Sequence, residues 1–281
     1  MRLYDPKTIR EVLSQNGFSF KKSLGQNFLI NPSVCPKMAA SAVENGEEAV
    51  IEIGPGIGVL TAELSKKAKN VVCIEIDERL RPVLAETLAD CDNVEVIFGD
   101  CMKLDIAKII EERFKGKKVS VCANLPYYIT SPIIMMLLEK RLPITSITVM
   151  VQKEAADRIC AEVGSRESGA VTVAVNYYSE PNVLFHVSRG SFMPPPNVDS
   201  SVIKLDVLPE PPVTLNDEKG FFAFIKAAFG QRRKTLVNSV SAGGRWSKED
   251  IKNALATVGL DENIRAEALT MQMLADVFNA M

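Results

Sequence analysis

The feature that most restricts the possible folds of this chain is a regular alternation of strand and helix patterns that begins at residue 49. Five short β-branched runs have the composition of buried strands, at residues 49–53, 71–76, 94–98, 119–123 and 144–151. Between them, residues 60–67, 79–88, 106–114 and 132–140 have helical spacing. Because strands that alternate with helices form βαβ units, the sequence predicts an α/β fold with a parallel sheet.

A glycine-rich segment follows the first predicted strand, at the edge of the sheet where such folds bind ligands. Gly54 and Gly56 permit a sharp turn and bring backbone close to a bound molecule, and Gly58 leads into the next helix. The spacing differs from the dinucleotide fingerprint, since Val59 stands where its last glycine is required. A pyrophosphate is therefore not the expected ligand.

Polar residues also mark the ends of the next three predicted strands. Glu75 lies 21 residues beyond Gly54, which suits a carboxylate that accepts hydrogen bonds from ribose hydroxyls. Asp100 suits an adenine amine, and Asn124 follows the fourth strand. Any one of them alone fits an ordinary polar turn. Together they favour a nucleoside bound without phosphate beside an amine-binding loop, which indicates S-adenosylmethionine as the cofactor.

The loop Asn124-Leu125-Pro126-Tyr127 is the predicted catalytic segment. Pro126 fixes its own φ and biases Leu125 toward an extended conformation, which leaves backbone carbonyls unpaired. The Asn124 amide oxygen is a further acceptor, and the Tyr127 ring is a surface on which a base stacks. Acceptors beside an aromatic ring suit the planar amine of adenine. Taken alone, an ordinary strand-to-helix turn fits this loop equally well.

An upstream polar segment, residues 22–29, precedes a helix that Asn31 is expected to cap, with Pro32 at its first position. Gln26 and Asn27 are predicted to hold the amino-acid end of the cofactor. The alternative for this segment is a capping loop without a ligand.

Composition excludes several other classes of protein. With a single histidine, His186, a Ser-His-Asp hydrolase and a histidine-based metal cluster are not expected, and no metal is predicted. The six cysteines contain no Cys-x-x-Cys pair and are interpreted as reduced, buried side chains. No stretch reaches the roughly 18 apolar residues of a membrane helix, and the N-terminus lacks a signal-peptide core, so a cytoplasmic protein is expected.

The sequence of the C-terminal region predicts a separate helical domain. Residues 209–212 form a short proline-rich linker, so the predicted domains are 1–208, which contains the cofactor motifs, and 209–281, a small helical domain. A helix is expected to start near Ser247, with Asp250 completing its cap. Arg232, Arg233 and Lys234 would present cations to phosphates, although the net charge of −2 does not itself indicate a nucleic-acid partner. A solvated surface is the alternative for this charged run.

At these motifs the chain resembles the ribosomal RNA adenine dimethyltransferases of the KsgA/RsmA type. The matching segments are residues 24–29, 52–58, 75, 99–100, 124–127 and 192–200. The resemblance implies a Rossmann-like class I S-adenosylmethionine-dependent methyltransferase fold with a small C-terminal helical domain. It also implies a set of cofactor-contacting residues: Asn27, Leu29, Gly54, Glu75, Asp100 and Asn124.

The implied substrate is a pair of adjacent adenosines near the 3′ end of small-subunit (16S) ribosomal RNA, each dimethylated on its exocyclic nitrogen by a monomeric enzyme. Tyr127 would stack on one face of the flipped base and Phe192 would close the other, the alternative for Phe192 being a loop anchor beside three prolines. Two other functions stay open. One is an Erm-type methyltransferase of large-subunit RNA, and the other is a ribosome-assembly factor with secondary catalysis.

Overall fold

The computed structural model describes residues 3–17, 27–44 and 49–281. The chain divides into two compact units. The first comprises Met1–Ala156 and Asn182–Val207, and the second comprises Asp157–Pro181 and Leu208–Met281. The second unit thus includes a segment, residues 157–181, that the sequence analysis places in the first domain. The chain enters the second unit twice.

A seven-stranded sheet forms the centre of the first unit. Its strands are β2 (Ala49–Ile53), β3 (Asn70–Glu75), β4 (Val94–Phe98), β5 (Val119–Asn124), β6 (Ser146–Gln152), β7 (Ser179–Val187) and β9 (Ser200–Val207). Their order is β4-β3-β2-β5-β6-β9-β7. Strands β2 to β6 run parallel, whereas β9 pairs antiparallel with β6. A separate two-stranded ladder joins β1 (Phe28–Leu29) to β8 (Phe192–Met193).

Helices precede these strands or alternate with them along the chain. In chain order they are α1 (Pro6–Gln15), α2 (Val34–Ala42), α3 (Val59–Ser65), α4 (Arg81–Thr87), α5 (Ile106–Phe114), α6 (Tyr127–Glu139), α7 (Lys153–Ile159) and α8 (Ala170–Tyr178). Asp105 caps α5 by accepting the N–H of Lys108, as the preference for an acidic side chain at this position predicts.

The burial of their residues agrees with the position of β2 and β5 in the middle of the sheet. Every residue of β2 is buried, and in β5 only Asn124, the last residue, is not. Strands of a parallel sheet that are covered on both faces are mainly apolar, and β2 and β5 follow this rule except at Glu52 and Ser120, which are buried polar residues, and at Asn124. Helix α2 packs against β5 and β6 through Cys35, Met38 and Ala39, all fully buried. The polar residues at the ends of these strands therefore lie at one edge of a sheet whose centre is buried.

The starts of α2 and α6 differ from the sequence prediction in an informative way. Helix α2 begins at Val34, and Asn31 does not cap it. Instead the Asn31 amide oxygen accepts the backbone N–H of Ser33 at 3.0 Å in a local turn. Helix α6 begins at Tyr127, five residues before the predicted start, and contains Pro132 in its interior. A proline inside a helix was the misleading signal, because proline normally marks a first turn.

The second unit also contains four helices after the linker: α9 (Glu218–Ala228), α10 (Leu236–Ser241), α11 (Lys248–Thr257) and α12 (Met271–Asn279). The predicted cap of α11 is confirmed, since Ser247 and Asp250 exchange hydrogen bonds in a capping box. Aromatic rings form the core, with Phe221 and Phe278 at 5.7 Å between centroids. No helix in the described part of the chain combines the length and the apolar character that a membrane crossing requires.

Candidate active site

A cavity of about 290 Å³ lies at the carboxyl ends of strands β2, β3 and β5 in the first unit. Its volume is close to the lower end of the range for small-molecule sites. Eleven residues predicted for the cofactor, catalysis or the target base line it: Asn27, Leu29, Gly54, Gly56, Glu75, Asp100, Asn124, Leu125, Pro126, Tyr127 and Phe192. Gln26 lies outside the described residues. Arg232, Arg233 and Lys234 belong to the second unit.

The glycine turn after β2 forms one wall of the cavity. Gly54 has a φ of +71° and Gly56 a φ of +58°, a conformation that L-residues with side chains rarely adopt. A Cβ atom on Gly54 would lie 3.2 Å from a methyl carbon of Leu125, so the turn also needs glycine in order to approach the predicted catalytic loop. The backbone N–H of Gly56 donates to Glu75 Oε2 at 3.3 Å.

Glu75, the last residue of β3, is held in one orientation at the cavity. Its Oε1 accepts the backbone N–H of Asp77 at 2.8 Å, and its Oε2 accepts that of Gly56. The residue is 5% exposed, and burial raises the pKa of its carboxyl while the two backbone donors oppose this rise. Each oxygen keeps a lone pair, so the carboxylate is oriented to accept from a diol.

Asp100 follows β4 and turns toward the same cavity. Its Oδ1 accepts the backbone N–H of Met102 at 3.0 Å, and its Oδ2 lies 3.6 Å from the Lys103 ammonium. The carboxylate is only partly exposed, with 29% of the side chain open to solvent. It remains an acceptor for a ligand amine.

The loop after β5 presents two acceptors that the fold does not use. Asn124 is in register with Met150 of β6, and its amide side chain has no hydrogen-bond partner among the described residues. The Leu125 carbonyl is likewise without a donor in the described part of the chain. By contrast, the Pro126 carbonyl accepts both the N–H of Ile129 and the hydroxyl of Thr130, each at 3.1 Å. Since a carbonyl has two lone pairs, Pro126 is saturated and Leu125 is not.

Tyr127 begins α6, with Pro126 at the N-cap position. Its hydroxyl lies 2.7 Å from Ser200 Oγ, at the start of β9. Burial raises the pKa of the Tyr127 phenol, and the hydrogen bond with Ser200 opposes this rise. The ring is therefore anchored at its hydroxyl end, and Tyr127 is one of the residues that line the cavity.

Phe192 reaches the cavity from the short β1–β8 ladder, where it pairs with Leu29. The residue is only 4% exposed and belongs to the main apolar cluster of the first unit. Its packing anchors the loop that follows, so the structure gives this ring a structural role whether or not it also contacts a base.

Comparison with known proteins now decides the family. A family model described as "Ribosomal RNA adenine dimethylase" matches residues 17–281.

The chain belongs to this family of ribosomal RNA adenine dimethylases.

Similar proteins of known name agree with this assignment. A "Ribosomal RNA small subunit methyltransferase A" from Geobacillus thermodenitrificans is 49% identical over 280 residues, which cover 98% of this chain and 96% of that protein. A protein of the same name from Alkaliphilus oremlandii is 46% identical over 272 residues, covering 96% and 95%. This dimethylase is therefore an S-adenosylmethionine-dependent enzyme that acts on ribosomal RNA.

Solved structures confirm the predicted class I methyltransferase fold. A dimethyladenosine transferase from Plasmodium falciparum superposes with a TM-score of 0.73 at 25% identity, covering 89% of this chain and 95% of that chain. The 23S rRNA methyltransferase ErmE superposes with a TM-score of 0.69, also at 25% identity, covering 90% and 99%. In this chain the sheet of that fold is mixed, because β9, the last strand in the sequence, pairs antiparallel with β6.

The cavity of the dimethylase suits the cofactor of its family. A fixed carboxylate at Glu75 and a glycine turn without Cβ atoms leave room and acceptors for a ribose. Two apolar side chains that the sequence analysis missed, Ile76 and Met102, line the cavity with 61% and 37% exposure and offer surfaces to a purine ring. Ile76 directly follows Glu75, and Met102 lies two residues after Asp100, and this closeness to the predicted acidic residues is the signal that could have identified them.

Two other lining residues of the dimethylase were not predicted. Glu52 is fully buried beneath the glycine turn, close to Cys73, and burial raises the pKa of its carboxyl to about 7. Tyr128 is 64% exposed at the rim and follows Tyr127 directly, so its place beside the motif was the available signal.

The predicted phosphate-binding run of the dimethylase lies in the second unit. Arg232, Arg233 and Lys234 are exposed, and none of the three has an ion-pair partner among the residues that the structure describes. The Arg232 guanidinium donates to the backbone carbonyl of Arg166 at 3.3 Å, which brings a fourth cation to this surface from 66 residues away. No sequence pattern connects Arg166 to the run.

Proposed function

We propose that this dimethylase transfers four methyl groups to the exocyclic nitrogens of two adjacent adenosines near the 3′ end of small-subunit ribosomal RNA. The observation that carries the proposal is the pair of unused acceptors at the end of β5, the Asn124 amide oxygen and the Leu125 carbonyl, beside the ring of Tyr127. The name and the full-length similarity of the bacterial relatives support the small subunit as the source of the RNA.

The amine of adenine is a poor nucleophile because its lone pair is delocalised into the ring. Asn124 and Leu125 supply the acceptors that bond its two hydrogens, and this favours a more tetrahedral nitrogen with a localised lone pair. Pro126 holds the loop extended, but its carbonyl is already saturated by Ile129 and Thr130. We therefore assign the second acceptor to Leu125.

The cofactor is held, in this proposal, by the residues that line the rest of the cavity. Glu75 binds the ribose hydroxyls, Asp100 binds the adenine amine, and Gly54 and Gly56 allow close approach. Gln26, Asn27 and Leu29 are proposed for the amino-acid end. S-adenosylmethionine supplies an activated methyl group when bound. The protein positions the cofactor and the adenine amine, and correct placement of two reactants contributes a large part of the rate enhancement of such a transfer.

Tyr127 receives the target base, which must leave its stack in order to reach the cavity. The hydrogen bond with Ser200 fixes the ring before the base arrives, so little freedom is lost on binding. Phe192 is proposed to close the opposite face. Arg232, Arg233 and Lys234 hold the RNA through its phosphates, which provide most of the affinity without sequence preference. One copy suffices for the site, since all these residues belong to one chain, and the ribosomal substrate indicates a cytoplasmic enzyme.

A large-subunit substrate is the second candidate, because ErmE superposes on nearly the whole chain. Purified protein and labelled cofactor, offered with small-subunit precursor particles and with large-subunit RNA, separate the two. We expect label in adjacent adenosines of the small-subunit RNA, and the same positions should lack dimethylation in cells without the gene. Label only in large-subunit RNA would contradict the proposal, and binding to particles without label would indicate an assembly factor.

A further inference from the structure

A second cavity of about 350 Å³ opens on the surface of the first unit. It lies where β6 ends and β9 begins. The residues of interest in its lining are Gln152, Lys153, Glu154, Arg189, Asn197 and Asp199. None of these six residues lines the cofactor cavity.

The second cavity contains two cations that the fold leaves without an acidic partner. Lys153 and Arg189 are exposed, and neither forms an ion pair with any residue in the described ranges. This holds although Glu154 and Asp199 line the same cavity. One oxygen of the Asp199 carboxylate, Oδ1, accepts the backbone N–H of Arg189 at 2.9 Å and not its guanidinium. The two side chains are therefore available to an external anion.

Backbone pairing connects the second cavity to the target-base site. Gln152 and Ser200 are partners in the antiparallel β6–β9 ladder, and the Lys153 N–H donates to the Asp199 carbonyl at 3.0 Å. Ser200 is also the residue that holds the Tyr127 hydroxyl at 2.7 Å. The end of the β6–β9 ladder thus separates the two cavities, with Tyr127 on one side and Lys153 on the other.

An RNA strand whose adenosine is flipped onto Tyr127 must continue past the end of the β6–β9 ladder that separates the two cavities. Each neighbouring nucleotide carries a phosphate, a 2′-hydroxyl and base edges with both donors and acceptors. The second cavity offers matching groups. Two cations suit the phosphate, the amides of Gln152 and Asn197 suit a base edge, and the Glu154 carboxylate suits a hydroxyl or an exocyclic amine.

We propose that this cavity binds the nucleotide next to the flipped adenosine, with Lys153 and Arg189 on its phosphate. The proposal rests on the proposed function, because it takes ribosomal RNA in the Tyr127 site as its starting point. This second cavity would hold the RNA strand in register. Either of the two adjacent adenosines could then lie on Tyr127 while its neighbour is bound in the second cavity.

The test compares Lys153→Ala/Arg189→Ala with wild-type enzyme on small-subunit precursor particles. We expect KM for the particles to rise at least tenfold and kcat at saturating particle concentration to stay within about twofold. The logarithmic salt dependence of RNA binding should become shallower by about 0.7, which corresponds to the one single-strand phosphate that the two cations share. Affinity for S-adenosylmethionine, measured by calorimetry, should not change.

The matched control is Lys108→Ala/Arg113→Ala, which removes two exposed, ion-paired cations from another helix of the same unit. It should retain the wild-type KM and salt slope. Glu154→Gln should move KM in the opposite direction, to a lower value, because it removes the negative charge beside the phosphate. A purely structural role for this surface would not produce effects of opposite sign.

An unchanged KM and salt slope in the double variant would overturn the subsite while leaving the proposed function intact. A loss of kcat with unchanged KM would overturn it too. Failure of the wild-type enzyme to methylate the particles would instead contradict the proposed function.

Discussion

The Tyr127 hydroxyl lies 2.7 Å from Ser200 Oγ, so the ring proposed to receive the target base is anchored across the chain to the first residue of β9. Tyr127→Phe keeps the stacking face and removes only this hydrogen bond. The expected cost is about 0.5–1.5 kcal/mol in the free energy of activation, measured through kcat/KM for RNA.

Ser200→Ala should cost a similar amount, and the double variant should cost no more than either single one, because all three remove the same interaction. Tyr127→Ala also removes the ring, which contributes about 1–3 kcal/mol per stacked base, and should be clearly worse than Tyr127→Phe. Equal activity of the Phe and Ala variants would contradict a stacking role.

Glu75 should determine cofactor affinity. Glu75→Ala removes both ribose acceptors, and hydrogen bonds to charged groups contribute about 1.5–3 kcal/mol, so calorimetry should show binding of S-adenosylmethionine weakened tenfold or more. Glu78→Ala is the matched control, since it removes a nearby exposed carboxylate whose one ion pair among the described residues is with Arg81. Unchanged affinity in Glu75→Ala would exclude this residue from the site.

Much of the parallel half of the sheet could be predicted from the sequence. Strands β2 and β4 and helix α5 have the predicted bounds, because their apolar runs are buried and end at clear polar or glycine signals. Strand β9 was not predicted. Only a 3-10 turn (Arg189–Ser191) and the short strand β8 lie between it and its sheet neighbour β7, so the βαβ pattern that identifies the other strands is absent.

The cavity-lining residues at strand ends were predictable for the same reason, since parallel strands bring their carboxyl ends to one edge. The unused Leu125 carbonyl was not distinguishable from that of Pro126. The distinction depends on where α6 begins, and Pro132 concealed that start. Arg166 was not predictable at all, because only tertiary structure brings it to Arg232.

The buried Glu52 predicts a specific dependence of stability on pH. Its pKa is about 7 in the folded protein, above its usual 4.5, so between these values the folded state binds more protons than the unfolded state. Stability should therefore fall as pH rises through this window and level off above it. Glu52→Gln should reduce the fall in the free energy of unfolding by roughly 3 kcal/mol, as measured by urea titration at pH 5 and pH 8.

Glu111→Gln controls for the removal of a carboxylate, since Glu111 is exposed on α5. It should leave the pH dependence as in the wild type. An undiminished fall in stability in Glu52→Gln would show that another group titrates.

The basic surface of the second unit should act through phosphates. Replacement of Arg232, Arg233 and Lys234 by Ala should weaken RNA binding and reduce the logarithmic salt slope by about 0.7–0.9 for each phosphate that the protein no longer neutralises. Arg166→Ala should act in the same direction, because it removes a cation from a residue whose backbone carbonyl is hydrogen-bonded to Arg232. Lys252→Ala, whose ammonium pairs with Glu262 at 2.8 Å, is the control. A wild-type slope in the triple variant would indicate a solvated surface.

Asn124 should be required for chemistry and dispensable for RNA affinity. Its amide acts at one nitrogen atom, whereas the RNA is held by phosphate contacts distributed over the protein. Asn124→Ala should therefore abolish methyl transfer in a single-turnover assay with precursor particles at saturating enzyme and cofactor, with particle affinity within about twofold of wild type. Cofactor binding should fall modestly, since the same amide lines the cofactor cavity.

Asn93→Ala is the control for removal of an amide, because among the described residues the Asn93 side chain donates to the carbonyls of Ser65 and Ala68. That variant should retain transfer if it is folded, which cofactor calorimetry checks. Near-normal dimethylation by Asn124→Ala would mean that the amine is oriented without this acceptor, and the mechanism proposed for the loop after β5 would be wrong.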